Sequence, residues 1–315
     1  MRCNQGRAAA HPYHRSFQIE YSILNALITF GYSYSENQFV MLLMNPKFLS
    51  LRAAVLCALF LQTAWLTAAV TPLPNAHAHN DYHHPRPLLD ALEVGFCSVE
   101  ADVYLVGDEL LVAHDREDLV PEKNLKDMYL TPLLERAKEH DGAIYPDGPA
   151  FYLMIDFKSE AGPTYAALRK LLWSYREMLT EYGGDGLQYR AVTVVISGNR
   201  PTETLAREKL RYAFIDGRIS DLDANESPVS LIPWISENWQ NHFNWNGRGE
   251  FSDQEKLKLK QWIDKAHEQG RKVRFWATPE TGNYWKTAYE AGLDFINTDR
   301  LERLQQILIG LQSAP

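Results

Sequence analysis

The chain has 315 residues, of which 45% are hydrophobic and 23% charged, and its formal net charge at pH 7 is −8. This length and composition are enough for one large hydrophobic core or two small ones, and they exclude an intrinsically disordered protein. The negative charge argues against nonspecific binding to a nucleic-acid backbone, so we expect no nucleic-acid partner.

The N-terminal part of the chain has the pattern of a targeting segment. Residues 53–70 are nearly all apolar, Lys47 and Arg52 precede them, and small residues close the run. This pattern is typical of a secretory signal peptide and predicts a secreted or periplasmic protein. A membrane-anchored protein is the alternative, because 18 apolar residues can just span a bilayer. We therefore predict three segments. Residues 1–43 are an over-long start or a disordered extension, residues 44–70 are a signal peptide or anchor, and residues 71–315 are the folded domain.

Short apolar or β-branched runs alternate with amphipathic segments after residue 70. Eight runs have strand character: 75–79, 98–104, 151–157, 191–197, 212–216, 229–235, 272–277 and 294–298. Helical patterns fill most of the gaps: 87–95, 131–140, 163–182, 202–210, 253–269, 282–291 and 300–312. Apolar strands separated by helices predict a parallel sheet covered on both faces, and eight such units match a (β/α)8 TIM barrel. We therefore predict a single-domain α/β TIM barrel.

One segment departs from the strand–helix alternation. The sequence DVYLVGDELLVAHD reads as a small β-hairpin after the second strand, with Gly107 and Asp108 in the turn.

Polar residues stand at the predicted C-terminal strand ends, where TIM barrels carry their functional groups. Glu100 and Asp102 are two residues apart on one strand, so both side chains point into the barrel, and Asp156 adds a third carboxylate. Buried carboxylates repel one another and need a cation or a proton. Carboxylate ligands suit one Mg²⁺ or Ca²⁺ better than Zn²⁺. An internal ion pair between Glu100 and Lys158 is the alternative interpretation.

Histidines cluster around the first strand in NAHAHNDYHHPRP, and another follows the hairpin at His114. His77 and His79 alternate onto the same face of the strand. We interpret His83 and His84, beside Pro85, as solvated loop or entrance residues. Imidazole titrates near neutrality, so this cluster suits acid–base chemistry beside a carboxylate-held cation.

The HAH motif also resembles the first-strand HxH of zinc amidohydrolase-type barrels. Those enzymes place further histidine ligands on later strands. The later histidines of this chain fall in helical patterns or in a polar loop: His140, His242 and His267. A zinc hydrolase is therefore an alternative that lacks its expected ligands.

The segments SVEADVYL, ELLVAHD and LMIDFKSE together resemble the signature of the PLC-like phosphodiesterase superfamily. That superfamily includes glycerophosphodiester phosphodiesterases and sphingomyelinase D-type phospholipases. The C-terminal VRFWATPETGNYWKTAYEAGLDFINTDRL resembles its closing strands, so the resemblance covers about residues 75–305. The HAHNDY form differs from the usual His-Arg-Gly of the glycerophosphodiesterases and indicates an atypical branch.

The resemblance implies a metal-dependent phosphoric diester hydrolase acting on a glycerophosphodiester or phospholipid-like substrate, with contact to a membrane compatible with the lipid case. It implies His79 and His114 as the general acid–base pair. His79 is favoured over His77 because the family's first histidine precedes the glutamate by about twenty residues, and His79 stands 21 before Glu100. The resemblance further implies metal ligands at Glu100, Asp102 and Asp156. It implies substrate contacts at Lys158, Trp276 and His77.

A non-catalytic barrel that binds lipid headgroups or glycans is the third hypothesis. The segment SENWQNHFNWNGRGEF, residues 236–251, is rich in Trp, Asn and Phe, as ligand-facing loops often are. The competing interpretation is an ordinary packed loop after the sixth strand.

Overall fold

The computed structural model describes residues 70–313, and within them eight parallel strands form a closed barrel. The strands are β1 (Leu73–Ala78), β2 (Phe96–Val106), β3 (Glu109–Val112), β4 (Phe151–Phe157), β5 (Glu181–Gly183), β6 (Gly186–Gln188), β7 (Val192–Gly198), β8 (Ala213–Gly217), β9 (Trp234–Asn238), β10 (Lys272–Trp276) and β11 (Phe295–Thr298). The ring runs β1–β2–β4–β7–β8–β9–β10–β11 and closes by pairing of β11 with β1. The predicted TIM barrel is confirmed.

Helices connect the barrel strands. They are α1 (Leu89–Glu93), α2 (Thr131–Glu139), α3 (Ala161–Trp173), α4 (Thr202–Arg207), α5 (Ile219–Ala224), α6 (Asp253–Glu268), α7 (Gly282–Glu290) and α8 (Leu301–Gln312). Their apolar faces, such as Leu259, Ile263 and Ala266 of α6, are buried in the main hydrophobic core. None of the helices in this part of the chain is both long and apolar enough to cross a bilayer.

The lower interior of the barrel is a separate apolar cluster. Met154, Val195, Trp234 and Phe295 come from four different strands and are buried together, and Trp234 stacks on Phe295 with ring centroids 4.0 Å apart. Charged side chains above this floor therefore lie over a dry, low-dielectric layer, which strengthens the electrostatic interactions among them.

The hairpin after the second strand is confirmed. β3 pairs antiparallel with β2, and Val106 lies opposite Glu109 across the turn. Gly107 has a φ of 61°, a conformation that glycine adopts without strain. The hairpin brings His114 back to the C-terminal end of the barrel, beside Asp102.

The predicted position of the sixth barrel strand was wrong. The prediction placed it at 229–235, and the structure places it at β9, Trp234–Asn238. Pro233 has no N–H and cannot donate to the strand ladder, so regular pairing starts after it. Leu231 and Ile232 precede this strand and are buried apolar residues. Their apolar character therefore resembled that of a strand in the sequence.

The helix predicted over 163–182 was too long, because α3 ends at Trp173. Tyr175, Met178 and Leu179 keep a helical apolar spacing, but they are buried in turns that lead into β5. The hairpin of β5 with β6 and the short helix α5 carried no clear sequence pattern and were missed. The extension and the signal peptide or anchor, predicted over residues 1–43 and 44–70, lie outside the described residues.

Candidate active site

Three carboxylates meet at the C-terminal end of the barrel. Glu100 and Asp102 lie on β2, and Asp156 on β4 is the direct strand neighbour of Asp102. Each offers an oxygen atom, and these atoms all lie within 4.8 Å of one another. The alternation predicted from the sequence therefore brings the three expected metal ligands together.

Asp102 has its hydrogen-bond donors on one oxygen only. Its Oδ2 accepts from the Tyr82 hydroxyl at 2.7 Å and lies 3.0 Å from both Lys158 Nζ and His114 Nδ1. Its Oδ1 is buried and has no partner in the described chain. An unpaired buried carboxylate oxygen is costly, and a divalent cation of the Mg²⁺ or Ca²⁺ type is an oxygen-seeking group that would satisfy it. The residues present fit such an ion.

Glu100 is paired across the barrel interior with a residue that the sequence reasoning did not identify. Arg274 Nη2 on β10 lies 2.6 Å from Glu100 Oε2, and His77 Nε2 lies 3.5 Å from the same oxygen. Burial opposes ionisation of Glu100, but the Arg274 charge and the His77 hydrogen bond hold its pKa well below its usual value. The alternative ion pair of Glu100 with Lys158 is wrong, because Lys158 pairs with the two aspartates instead.

Asp156 lies 3.3 Å from Lys158 Nζ through its Oδ1. Burial, together with the charges of Glu100 and Asp102, raises its pKa to about 6 against the opposing effect of Lys158. The carboxylate rests against Gly198 at the end of β7, where an added Cβ would collide with it. The added Cβ would also collide with the Phe157 backbone, so the close packing of β7 against β4 requires glycine here.

His79 follows β1 at the mouth of the barrel. Its Nδ1 lies 2.7 Å from Asp299 Oδ1, just after β11. Burial lowers the pKa of His79, but the hydrogen bond with Asp299 and the Glu100 charge outweigh it, so the net shift is upward. The carboxylate anchors one ring nitrogen, and Nε2 has no partner within residues 70–313.

His114 is held in a similar way at the mouth. Besides its contact with Asp102, its Nδ1 lies 3.3 Å from the Tyr82 hydroxyl. The side chain is 49% exposed, and the ring of His83 lies 6.4 Å away. His114 and His79 thus share one arrangement, in which Nδ1 faces a carboxylate and Nε2 is left for another group.

His77 does not occupy the place expected of a substrate contact. Its side chain is fully buried, with Nδ1 2.7 Å from Ser98 Oγ and its ring edge-on to Trp234. Burial and the nearby Arg274 charge lower its pKa to about 3, so the ring is neutral. His77 therefore supports Glu100 from below. It shares a face with His79, as predicted, but lies one layer deeper.

Trp276 lies at the end of β10 with 38% of its surface exposed, a position that a pocket wall requires. Three residues near the cluster received no role from the sequence: Tyr82, Arg274 and Asp299. Arg274 had a signal, because it is a charged residue two positions from Trp276 on an otherwise buried strand. Asp299 was visible only as a polar strand end, and Tyr82 had no periodic signal.

Two features that suggested the competing functions look different in the structure. The Glu100, Asp102 and Asp156 cluster is the only potential metal-binding group among the described residues, and it contains no histidine. His242 packs edge-on against Trp262 beside α6. The aromatic residues of the 236–251 loop are buried rather than presented to a ligand, as Trp239 shows by stacking on Phe243 at 4.1 Å. The loop is therefore a packed loop.

Comparisons with known proteins place this arrangement in a family. The family model described as AIM6-like phosphodiesterase domain matches residues 64–216. Altered inheritance of mitochondria protein 6 from Eremothecium gossypii is 30% identical over 294 residues, which cover 77% of this chain and 72% of that protein. The chain belongs to the altered inheritance of mitochondria protein 6 (AIM6) family. An AIM6 homolog from Arthroderma benhamiae is 26% identical over 262 residues, covering 74% of this chain and 83% of that protein.

A solved structure supports the fold of this AIM6 family member. The calcium-dependent phosphoinositol-specific phospholipase C from a Gram-negative bacterium, Pseudomonas sp., aligns with a TM-score of 0.51 and 14% identity. The alignment covers 76% of this chain and 94% of that chain. The predicted resemblance to phosphodiesterases is confirmed by the match to the AIM6-like phosphodiesterase domain. An identity as low as 14% shows the fold alone.

Proposed function

We propose that this protein is a metal-dependent phosphodiesterase that cleaves a glycerophosphodiester or phospholipid-like substrate by general acid–base catalysis. His79 and His114 are the acid–base pair. Glu100, Asp102 and Asp156 hold one divalent cation, Mg²⁺ or Ca²⁺.

The observation that carries the proposal is the crowding of three carboxylates, Glu100, Asp102 and Asp156, whose oxygen atoms lie within 4.8 Å of one another. Asp102 directs one oxygen to Tyr82, His114 and Lys158 and leaves the other buried and unpaired. Buried carboxylates packed this closely repel one another and need a cation or a proton. A divalent cation among them would offset this repulsion and satisfy the bare oxygen of Asp102.

The two histidines have the anchoring that proton transfer requires. Each Nδ1 contacts a carboxylate, which orients the ring and favours the tautomer or charge state whose Nε2 serves the substrate. One histidine accepts the proton of an attacking water or substrate hydroxyl as the new P–O bond forms. The other donates a proton to the leaving alcohol oxygen as the old P–O bond breaks.

Lys158 adds positive charge at the same point. Its ammonium lies between Asp102 and Asp156 and is 25% exposed, so it can reach one phosphate oxygen while it remains paired. A bound divalent cation would supply Lewis-acid stabilisation of the negative charge that develops on the phosphoryl oxygens. Trp276 provides an exposed apolar wall at the mouth, suited to the organic part of the diester.

The test is hydrolysis of bis(p-nitrophenyl) phosphate and of glycerophosphocholine by the purified protein. The protein is first treated with EDTA, and Mg²⁺, Ca²⁺ or Zn²⁺ is then added back separately. We expect hydrolysis to stop with EDTA and to return with Mg²⁺ or Ca²⁺, and the preferred diester to identify the headgroup. Recovery with Zn²⁺ alone would favour the amidohydrolase-type chemistry, and hydrolysis unaffected by EDTA would overturn the metal-dependent mechanism.

We also propose that the protein is exported by the segment at about 44–69, on the sequence pattern alone. N-terminal sequencing of the protein from the culture medium or periplasm tests this proposal. A new N-terminus near residue 70 supports cleavage, and an intact N-terminus in the membrane fraction supports the anchor.

A further inference from the structure

Arg274 is a buried cation that the proposed reaction does not use. Its side chain is 3% exposed, and its nitrogen atoms are all engaged. Nη2 contacts Glu100 Oε2, Nε donates to Asn297 Oδ1 at 2.9 Å, and Nη1 lies 3.3 Å from Met154 Sδ. The guanidinium is buried and each of its nitrogens already contacts a protein atom, and its one charged partner among the described residues is Glu100, so we infer that Arg274 acts through Glu100.

The ion pair of Arg274 with Glu100 reduces the negative charge available to a metal ion. The three carboxylates carry three negative charges, and Lys158 and Arg274 carry two positive charges. The net charge of the cluster is therefore minus one. A divalent cation would turn this into one positive charge. A phosphodiester carries one negative charge, so the complete set of cluster, cation and diester is neutral. Full neutrality matters because the cluster lies above a dry aromatic floor.

We propose that Arg274 is a positioning residue that weakens binding of the free cation and thereby couples cation binding to phosphodiester binding. The inference rests on the proposed function and adds how the site selects its ligands. Arg274 occupies one oxygen of Glu100 and offsets its charge, so the cation is held firmly only when the diester is present.

Arg271, three residues before Arg274 in the chain, provides a matched control. It is also a buried arginine, 2% exposed, but its nitrogens donate to Ile232 O, Ser227 O and Gln269 Oε1. These acceptors are neutral and lie at the opposite end of the barrel, before β10 begins. Arg271→Gln removes a buried guanidinium without changing the charge around the carboxylates.

The test is calorimetric titration of the full chain with Ca²⁺, in the absence and presence of dimethyl phosphate. Dimethyl phosphate is a stable diester with one negative charge. In the wild type we expect it to raise the Ca²⁺ affinity about tenfold or more. Arg274→Gln should bind Ca²⁺ alone about tenfold or more tightly than the wild type, and it should lose most of the gain from dimethyl phosphate. Arg271→Gln should match the wild type in both titrations.

Two further variants keep the inference testable if Arg274→Gln fails to fold, as judged by circular dichroism. Arg274→Lys keeps the positive charge and should retain the weak, diester-dependent binding. Asn297→Asp places a carboxylate on the other side of Arg274, with almost no change in shape, and should tighten Ca²⁺ binding without dimethyl phosphate.

The outcomes distinguish failure of the proposed function from failure of the proposed role of Arg274. A wild type that binds no Ca²⁺, and in a parallel titration no Mg²⁺, with or without dimethyl phosphate would overturn the cation site and the proposed function together. Ca²⁺ binding by the wild type that dimethyl phosphate does not strengthen would overturn the coupling only. The role of Arg274 would be wrong if the folded Arg274→Gln and Asn297→Asp proteins bound Ca²⁺ no more tightly than Arg271→Gln.

Discussion

Two neighbouring sectors of the barrel mouth bury carboxylates and balance the charge differently. On β2 and β4, three carboxylates face only Lys158 and Arg274, so one negative charge is left over. On β7 and β8, one carboxylate, Asp216, faces Arg218 at 2.8 Å and accepts from the Ser197 hydroxyl at 2.7 Å. The second sector is neutral as it stands.

The difference separates a structural ion pair from a binding site. A buried carboxylate with its own arginine has its charge compensated inside the protein. A surplus of buried negative charge requires a cation or a proton from solution. Both sectors bury carboxylates, each including one with a buried oxygen that has no partner among the described residues, and the balance between carboxylates and positively charged partners distinguishes the sectors.

The largest expected effect on hydrolysis comes from replacing one carboxylate in each sector by an amide. Asp102→Asn keeps the shape but removes a proposed metal ligand and the carboxylate that contacts His114. We expect phosphodiester hydrolysis to fall by about 10³-fold and Ca²⁺ binding to be lost. The matched Asp216→Asn should retain most of its hydrolysis and its Ca²⁺ binding, while its unfolding temperature falls because Arg218 loses its partner. Equal loss of hydrolysis in both folded variants would remove the distinction between the sectors.

A second comparison uses histidines that pair with aspartate at the two ends of the barrel. His114 lies at the C-terminal end, and His267 lies at the other end, 2.8 Å from Asp294 and 43% exposed. We expect His114→Ala to lower hydrolysis by about 10²-fold or more, because a proton-transfer group is lost. His267→Ala removes a similar surface pair and should leave hydrolysis near the wild-type rate. Steady-state rates of both variants measure the contrast, and a His114→Ala protein with wild-type activity would contradict the acid–base assignment.

A smaller effect is expected from two glycines with the same backbone conformation. Gly198 and Gly107 have φ values of 65° and 61°, so alanine is strained by about 1–3 kcal/mol at either place. At Gly198 the added Cβ meets the Asp156 carboxylate and the Phe157 backbone, whereas Gly107 faces open space. We expect Gly198→Ala to weaken Ca²⁺ binding by about tenfold, equivalent to about 1.4 kcal/mol. Gly107→Ala should lose stability through backbone strain alone, by less than Gly198→Ala, and keep its Ca²⁺ affinity. A shared loss of affinity would make backbone strain the cause.

Local pattern was sufficient to predict the barrel and the acidic cluster. Alternation along β2 places Glu100 and Asp102 on one face, and parallel pairing then brings Asp156 next to them. These contacts depend only on period and strand order. The hairpin that returns His114 was equally local, because Gly107 and Asp108 mark its turn.

The partners of these residues depend on closure of the ring, which local pattern does not specify. Arg274 and Glu100 are 174 residues apart and meet only because the sheet curves until β10 and β2 face each other. The sequence pattern also does not show how deep in the barrel each side chain lies. His77 and His79 share a face, but two residues along a strand correspond to about 6–7 Å, which separates a fully buried ring from one at the mouth.

The smallest expected effect concerns Asp81, a buried carboxylate that a proton rather than a cation compensates. Its Oδ2 accepts from the Leu88 amide at 2.5 Å and the Tyr129 hydroxyl at 2.9 Å, and no lysine or arginine hydrogen-bonds to it within residues 70–313. Burial raises its pKa from 3.8 to about 7, against the effect of both hydrogen bonds. The folded state therefore binds this proton more tightly than the unfolded chain does. The stabilisation is complete below pH 3.8 and is lost as the pH rises through about 7.

Asp81→Asn keeps the acceptor for Leu88 and Tyr129 but cannot ionise. Between about pH 5 and pH 8 the free energy of unfolding should fall more steeply for the wild type than for the variant, as urea unfolding at a series of pH values would measure. Parallel pH profiles would mean that Asp81 is already ionised at pH 5. It would then be a second buried negative charge without a cation, and surplus charge alone would no longer mark the metal-binding sector.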